Sequence, residues 1–177
     1  MSSFAVVFNQ FLSWLSILAV VFFVIVILSL VFRRIEICKR FLSFIKNFTY
    51  RGVFVLALAG VVGSLIYSEF IGFEPCVLCW WQRVFLYPIA ILLFAALIKK
   101  EKVIADYILS LSIPGGLVAL YHSIIQITGS SSIFCSGSVS DCSVVYFKYF
   151  GFVTLPFMAF SLFALITAFL LVDKVKI

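Results

Sequence analysis

Hydrophobic residues occupy most of this chain in five long runs that are separated by short polar or basic segments. Each run is long enough to form a membrane-spanning helix, because crossing the hydrocarbon takes about 20 mostly apolar residues. The runs lie at residues 11–32, 53–71, 79–98, 103–127 and 150–172. They predict an all-α integral membrane protein, a four-helix bundle with an additional N-terminal transmembrane helix.

Composition agrees with this prediction and narrows the classes of function. Of the 177 residues, 65% are hydrophobic and only 11% are charged, with a mean hydropathy of +1.28, which excludes an ordinary soluble domain. The net charge of +6 could suggest a nucleic-acid partner, but basic residues in a membrane protein first report its orientation. We therefore expect contact with membrane lipid and no binding of nucleic acid.

The basic residues fall on one side of the predicted bundle. Eleven of the 13 precede the second run, separate the third from the fourth, or follow the fifth: Arg33, Arg34, Lys39, Arg40, Lys46, Arg51, Lys99, Lys100, Lys102, Lys174 and Lys176. Because cytoplasmic loops carry an excess of Lys and Arg, these segments are predicted to be cytoplasmic and the N-terminus to lie outside. The first run lacks the flanks and cleavage pattern of a signal peptide, so we expect it to be retained.

Four of the five cysteines then face outside. Cys76 and Cys79 form a Cys-x-x-Cys at the mouth of the third run, and Cys135 and Cys142 lie in the loop before the fifth. Disulfides persist in that compartment, whereas Cys38 lies among cytoplasmic basic residues and should stay reduced. We interpret Cys38 as an incidental thiol.

A Cys-x-x-Cys has three interpretations: half of a zinc site, a structural disulfide, or a redox-active dithiol. Zinc would need a second close pair, and the spacing of Cys135 and Cys142 is wider than zinc sites use, so no metal is expected. Small membrane bundles are stabilised by helix packing and do not need stapled outer loops. Pro75 favours a helix start, and the positive end of a helix lowers the pKa of a nearby thiol, which favours the redox dithiol.

Two further features bear on that chemistry. Arg83 follows Cys79 by four residues, so both should project from one helix face. A cation at membrane depth is a candidate functional residue, although an arginine there can also snorkel to the headgroups. The Gly- and Ser-rich loop at residues 128–143 is predicted to move, which would let its cysteines exchange disulfides with a soluble partner.

Three segments resemble one family: "PCVLCWWQR" at 75–83, "LYHSIIQ" at 120–126 and "YFGFVTLP" at 149–156. Together they are similar to the DsbB/BdbC quinone-dependent thiol oxidases over about residues 51–172. Two departures stand out. The family has four spans, so the first run is an addition, and Gln82 stands where many members carry a glutamate.

The resemblance implies roles for named residues. Cys76 and Cys79 would pass electrons to a quinone, either ubiquinone or menaquinone, with Arg83 at its head group. Cys135 and Cys142 would form the pair that oxidises a soluble extracytoplasmic partner, a thioredoxin-like thiol oxidase of the DsbA/BdbD type. The setting would be the bacterial cytoplasmic membrane, with the redox cysteines facing the periplasm or the cell exterior.

Two more residues are candidates for the quinone site. His122, the only histidine, is either a packing residue or a hydrogen-bond donor to a quinone carbonyl, and the resemblance favours the second role. Trp80 could stack on a quinone ring, but an aromatic belt at the outer interface explains it equally well.

These inferences predict four parts in the chain: an N-terminal transmembrane helix (1–32), a cytoplasmic basic connector (33–51), a four-helix redox domain (52–172) and a cytoplasmic tail (173–177). The connector fits either a short helix on the inner membrane surface or a plain basic loop. The predicted function is a quinone-dependent protein-disulfide oxidoreductase. A channel or scaffold with structural disulfides is the alternative, and a membrane reductant running the same cysteines backwards is a third reading.

Overall fold

Five α-helices make up most of the computed structural model, which describes residues 3–99, 104–130, 135 and 141–175. They are α1 (Ser3–Val31), α2 (Glu36–Leu65), α3 (Val77–Lys99), α4 (Ala105–Thr128) and α5 (Leu155–Lys174). All five are long and apolar enough to cross a membrane. Within the described residues, β-type pairing is limited to one isolated bridge between Tyr149 and Val153. The predicted all-α membrane architecture is confirmed.

The basic connector is neither a separate short helix nor a loop. Only residues 32–35 form a turn, and α2 then continues from Glu36 to Leu65 and through a π-helical turn, Ile66–Phe70. The physical reason is that neither glycine nor proline occurs between residues 36 and 51, so nothing breaks the helix before the apolar run. The predicted boundary at residue 51 therefore falls inside a helix.

The last helix starts later than its apolar run. Residues 149–153 form a tight turn in which Phe150 and Gly151 both have positive φ, 51° and 79°, a conformation that no α-helix contains. Pro156 then occupies the first turn of α5, where a proline is well tolerated. Pro88 and Pro114, in contrast, lie inside α3 and α4.

The core of the bundle lies between α2, α3, α4 and α5. Each helix contributes fully buried apolar side chains to one cluster, including Val53, Ile89, Ile108 and Ile166. Helix α1 stands outside this core and packs mainly against α5. A second, smaller cluster joins the end of α1 to the start of α2 and the end of α5. The structure therefore agrees with a four-helix bundle plus an added N-terminal helix.

The two ends of the bundle differ in chemistry. At one end, Lys46 donates a hydrogen bond to the carbonyl of Val175 (2.9 Å), and Lys174 pairs with Asp106. At the other end, the Tyr149 hydroxyl donates to the carbonyl of Val6 (3.5 Å). The start of α1 thus lies at the same end as the loop before α5, away from the basic segments.

Candidate active site

The Cys-x-x-Cys lies at the start of α3. The chain is extended before Val77, and the Trp80 amide donates to the Cys76 carbonyl (3.1 Å), so Cys76 immediately precedes the helix and Cys79 lies in its first turn. Both thiols are free, and their sulfur atoms lie 3.3 Å apart. Cys76 is buried, whereas Cys79 is partly exposed. The two sulfurs therefore face different surroundings.

His122 connects the Cys-x-x-Cys to the second cysteine pair. Its Nε2 atom lies 3.7 Å from the Cys76 sulfur and 3.1 Å from the Cys142 carbonyl oxygen, and the ring is 1% exposed. Because a carbonyl only accepts, Nε2 carries the proton in this arrangement. Its Nδ1 is then free to accept from Gln82 Nε2 at 3.1 Å. His122 is placed to donate toward either redox pair.

The tautomer explains why a glutamine fits at position 82. A glutamate carboxylate has no proton to donate when ionised, so it would require the proton on Nδ1. The amide of Gln82 donates instead, which leaves the Nε2 proton directed at Cys142 and Cys76. This residue was expected only as a departure from the resembled family. Its contact with His122 was not predicted.

The surroundings of Cys76 favour its thiolate. A hydrogen bond with the Cys79 thiol lowers the pKa of Cys76, and the hydrogen bond from His122 lowers it further, although burial opposes them. Such lowering is the property that makes a thiol reactive near neutral pH.

The second pair is a disulfide. Cys135 is bonded to Cys142, and both are buried in one cluster with Cys76, Leu78 and Ile125. Nearby, the Gln126 amide donates to the Val144 carbonyl (2.8 Å). The mobility predicted for the loop concerns mainly residues 131–134 and 136–140, which lie outside the described residues. The disulfide itself already packs against the Cys-x-x-Cys, so no swing is needed to bring the two pairs together.

Aromatic side chains fasten the loop before α5 over the extended segment before α3. Tyr146 stacks on Phe73 with ring centroids 4.1 Å apart, and its hydroxyl donates to the Glu74 carbonyl (3.0 Å). Tyr67 stacks on Phe73 and on Phe147. These contacts hold both cysteine-bearing segments in register. Sequence reasoning missed them, because aromatic residues at a membrane interface have a general explanation in the aromatic belt.

Arg83 is held by α2. Its Nε donates to the Ser64 hydroxyl (2.9 Å) and an Nη atom donates to the Ser64 carbonyl (3.1 Å), while its guanidinium lies 5.0 Å from the Trp80 ring centroid. No carboxylate of the described residues forms a salt bridge with it. The positive charge of Arg83 is therefore held in place by α2, but no carboxylate of the described residues neutralises it. The contact of Ser64 with Arg83 was not predicted from the sequence. The only available signal was that Gly60, Gly63 and Ser64 form a face of small residues on α2.

A long apolar groove leads to Cys79 and Arg83. It has a volume of about 980 Å³ and runs between α1, α2 and α5. Cys79, Gln82, Arg83 and Tyr67 line one end, and apolar side chains line nearly all of the rest. Neither Trp80 nor His122 is among the described residues that line it: Trp80 is 55% exposed, and His122 lies behind the dithiol. Their direct contact with a quinone stays a prediction.

Cys76, Cys79 and His122 each offer one ligand atom within 4.8 Å of one another. Three such ligands would suit a zinc ion, and sequence reasoning missed this set because His122 is distant in the chain. Metal binding would need the Nε2 lone pair, however, and the contact with the Cys142 carbonyl requires a proton on that atom. The arrangement therefore favours thiol and proton chemistry.

Comparison with known proteins fits this geometry. A family model described as "Disulfide bond formation protein DsbB" matches residues 46–172. The chain belongs to this family. Among DsbB-family relatives, the SPbeta prophage-derived disulfide bond formation protein B of Bacillus subtilis is 45% identical over 70% of this chain and 82% of its own. Disulfide bond formation protein C of the same organism is 37% identical over 68% and 88%.

A more distant DsbB-family relative, a probable disulfide formation protein of Chlamydia caviae, is 33% identical over 76% of this chain and 98% of its own. No solved structure matches the chain. Membership of the family implies a membrane protein that acts as a thiol oxidoreductase in disulfide bond formation. The matched residues include all of α3, α4 and both cysteine pairs, but they leave α1 outside.

Proposed function

We propose that this protein reoxidises a soluble extracytoplasmic thiol oxidase of the thioredoxin-like, DsbA/BdbD type and passes the electrons to a membrane quinone. One observation carries the proposal: the Cys135–Cys142 disulfide shares a buried cluster with Cys76, while Cys79 lines an apolar groove. The Cys135–Cys142 pair can thus meet the Cys76–Cys79 pair through Cys76, and the Cys76–Cys79 pair can meet a lipid-soluble acceptor through Cys79.

Electrons enter at the distal pair. The partner dithiol reduces the Cys135–Cys142 disulfide to two thiols and becomes a disulfide itself, through a mixed disulfide between the two proteins. These two thiols then reduce the Cys76–Cys79 disulfide and re-form their own. The lowered pKa of Cys76 makes it a good leaving thiolate in that step, and the Nε2–H of His122, 3.7 Å from the sulfur, would donate a hydrogen bond to that thiolate.

Electrons leave at the groove. The Cys76 and Cys79 thiols re-form their disulfide and give up two electrons and two protons, which a quinone held in the groove, ubiquinone or menaquinone, would accept to become a hydroquinone. Arg83 suits the head-group end, because an unpaired guanidinium stabilises negative charge that develops on a nearby oxygen or sulfur. The rest of the groove is apolar enough for a prenyl tail. The donors and the lining therefore fit a quinone.

We also propose that the redox end faces the periplasm or cell exterior from a bacterial cytoplasmic membrane. Lys46, Lys174 and Asp106 lie near the C-terminal end of α5, at the end of the bundle opposite the redox cysteines, and this supports the orientation. Three further residues of the predicted cytoplasmic side, Lys100, Lys102 and Lys176, lie outside the described residues. In a background without other cysteines, an impermeant thiol reagent added to intact cells should label Ser3→Cys and Gly137→Cys but not Cys38. Labelling of Cys38 from outside would reverse the orientation.

The division into an N-terminal helix (1–32), a connector (33–51), a redox domain (52–172) and a tail (173–177) stays a proposal about function. In this division, the chemistry belongs to the four-helix domain, and the connector is the basic first half of α2. The family match, at residues 46–172, covers the four-helix domain and the last residues of the connector.

The decisive experiment is purification in detergent, identification of any quinone that copurifies, and measurement of quinone reduction by a reduced thioredoxin-like oxidase. A thiol oxidase gives quinone turnover that is lost in Cys76→Ala and Cys135→Ala. A channel or scaffold with structural disulfides predicts cysteine redox states that do not respond to quinone. If the protein were instead a membrane reductant that uses the same cysteines in the reverse direction, hydroquinone would keep Cys135 and Cys142 reduced.

A further inference from the structure

Helix α1 has no counterpart within the DsbB-family match, yet it borders the candidate quinone groove. The match begins at residue 46, beyond the end of α1 at Val31. One side of the groove is nevertheless formed by α1 side chains: Phe8, Leu12, Leu15, Ser16, Ala19 and Phe22. The added helix is therefore part of the site's surroundings.

Aromatic contacts fix α1 to the rest of the bundle at two points along its length. At the outer end, Phe8 packs on Tyr67 with ring centroids 5.6 Å apart. At the other end, Phe22 packs on Phe41 and Phe169, at 6.2 and 5.9 Å. From residue 8 to residue 22, a helix rises about 21 Å. Along that length the groove stays open between the helices.

The facing wall on α2 is built from small residues. Gly52, Ala59, Gly60 and Gly63 all line the groove. A Cβ atom built on Gly63 would meet no atom within 4 Å, so the space beside it is open. Small residues usually let helices pack closely, but here α1 packs mainly on α5. The cleft left over is elongated, apolar, and ends at Cys79 and Arg83.

We propose that α1 completes a binding groove for the polyprenyl tail of the quinone, so that long-tailed quinones are bound in preference to tailless ones. The inference rests on the proposed function and adds to it a role for α1, the one wall of the groove that lies outside the family match. A tail fits better than an independent lipid, because the groove is continuous with the end where the head group must meet Cys79. Burying apolar surface against α1 supplies the affinity.

The test compares two quinones that share a head group: menadione, which has no tail, and menaquinone, which has one. In the full-length wild-type protein, menaquinone should show a KM at least tenfold lower than menadione. Ala19→Trp fills the groove from α1 and should raise the KM for menaquinone about tenfold while leaving that for menadione unchanged. The matched control is Val21→Trp, since Val21 is 51% exposed and does not line the groove.

A second variant fills the groove from the opposite wall. Gly52→Leu lies about three helical turns from Ser64 along α2, and its Cβ would meet only the Phe169 ring, at 3.7 Å. It should reproduce the selective loss of menaquinone affinity, even if Ala19→Trp folds poorly. Equal KM values for the two quinones in wild type, equal losses for both quinones in both groove variants, or the same effect from Val21→Trp would each overturn the tail site. In each of these three outcomes the protein still reduces quinone, so the proposed function would stand. Failure to reduce either quinone would instead refute the proposed function.

Discussion

Replacing Arg83 tests the head-group end of the site most directly. Its guanidinium uses Nε and one Nη on Ser64, which leaves other N–H donors free at the edge of the groove. A hydrogen bond to a charged group is worth about 1.5–3 kcal/mol, which corresponds to roughly a tenfold to hundredfold change in affinity. We expect Arg83→Ala to raise the KM for quinone by this factor.

Lysine at the same position separates charge from geometry. Arg83→Lys keeps the positive charge, but a single ammonium cannot hold both Ser64 contacts and still present a planar fork to the groove. The KM for quinone should therefore rise from wild type to Arg83→Lys to Arg83→Ala. The exchange of disulfides with the partner should survive in both variants in a single turnover, because that step uses Cys135 and Cys142.

The assay is steady-state quinone reduction in detergent, at matched folding and with saturating reduced partner. Lys148→Ala is the matched control, because Lys148 is an exposed cation near the same end of the bundle and does not line the groove. An arginine that only snorkels would be replaced by lysine without loss. An unchanged quinone KM in Arg83→Ala would remove this residue from the site.

Three other predictions concern exchange, ionisation and packing. Replacing Cys135 or Cys142 by alanine should trap a mixed disulfide with a thioredoxin-like protein, visible on non-reducing gels, because the resolving thiol is gone. His122→Ala removes a group that lowers the pKa of Cys76, so the pH midpoint of thiolate absorbance, measured without the other redox pair, should rise. Gly115→Ala places a Cβ 2.6 Å from the Phe163 ring, so thermal unfolding should show a loss of about 1–3 kcal/mol.

Each of these has a contrasting outcome. If only Cys79→Ala traps the partner, the order of the two pairs is reversed. A midpoint that does not move in His122→Ala means that the ring does not stabilise the thiolate. For packing, Gly63→Ala is the control, because its Cβ enters open space, and equal losses at both glycines would mean that contact with Phe163 is not the cause.

The sequence predicted the helices and the family better than it predicted how the helices and their side chains are arranged. The apolar runs located five helices, because the length of a hydrophobic run is a local property of the sequence. The start of α2 was missed, because its first half is basic, and basic residues do not end a helix when glycine and proline are absent. The pairing of His122 with Gln82 joins residues 40 positions apart, and no pattern along the chain reports such a contact. The hold of Ser64 on Arg83 depends likewise on how α2 and α3 pack.

The bridge made by His122 offers a way to link two events in time. Its Nε2 atom carries one proton and has two candidate acceptors, the Cys142 carbonyl and the Cys76 sulfur. When the Cys76 sulfur is a thiolate, the Nε2–H can turn from the carbonyl to the sulfur, so the carbonyl loses its donor and one of the hydrogen bonds that hold the distal segment against the bundle is released. The charge of the inner dithiol would thereby be signalled to the segment that we propose meets the partner. Delivery of electrons inward and readiness for the next docking would then be successive stages of one cycle, ordered by a single hydrogen bond.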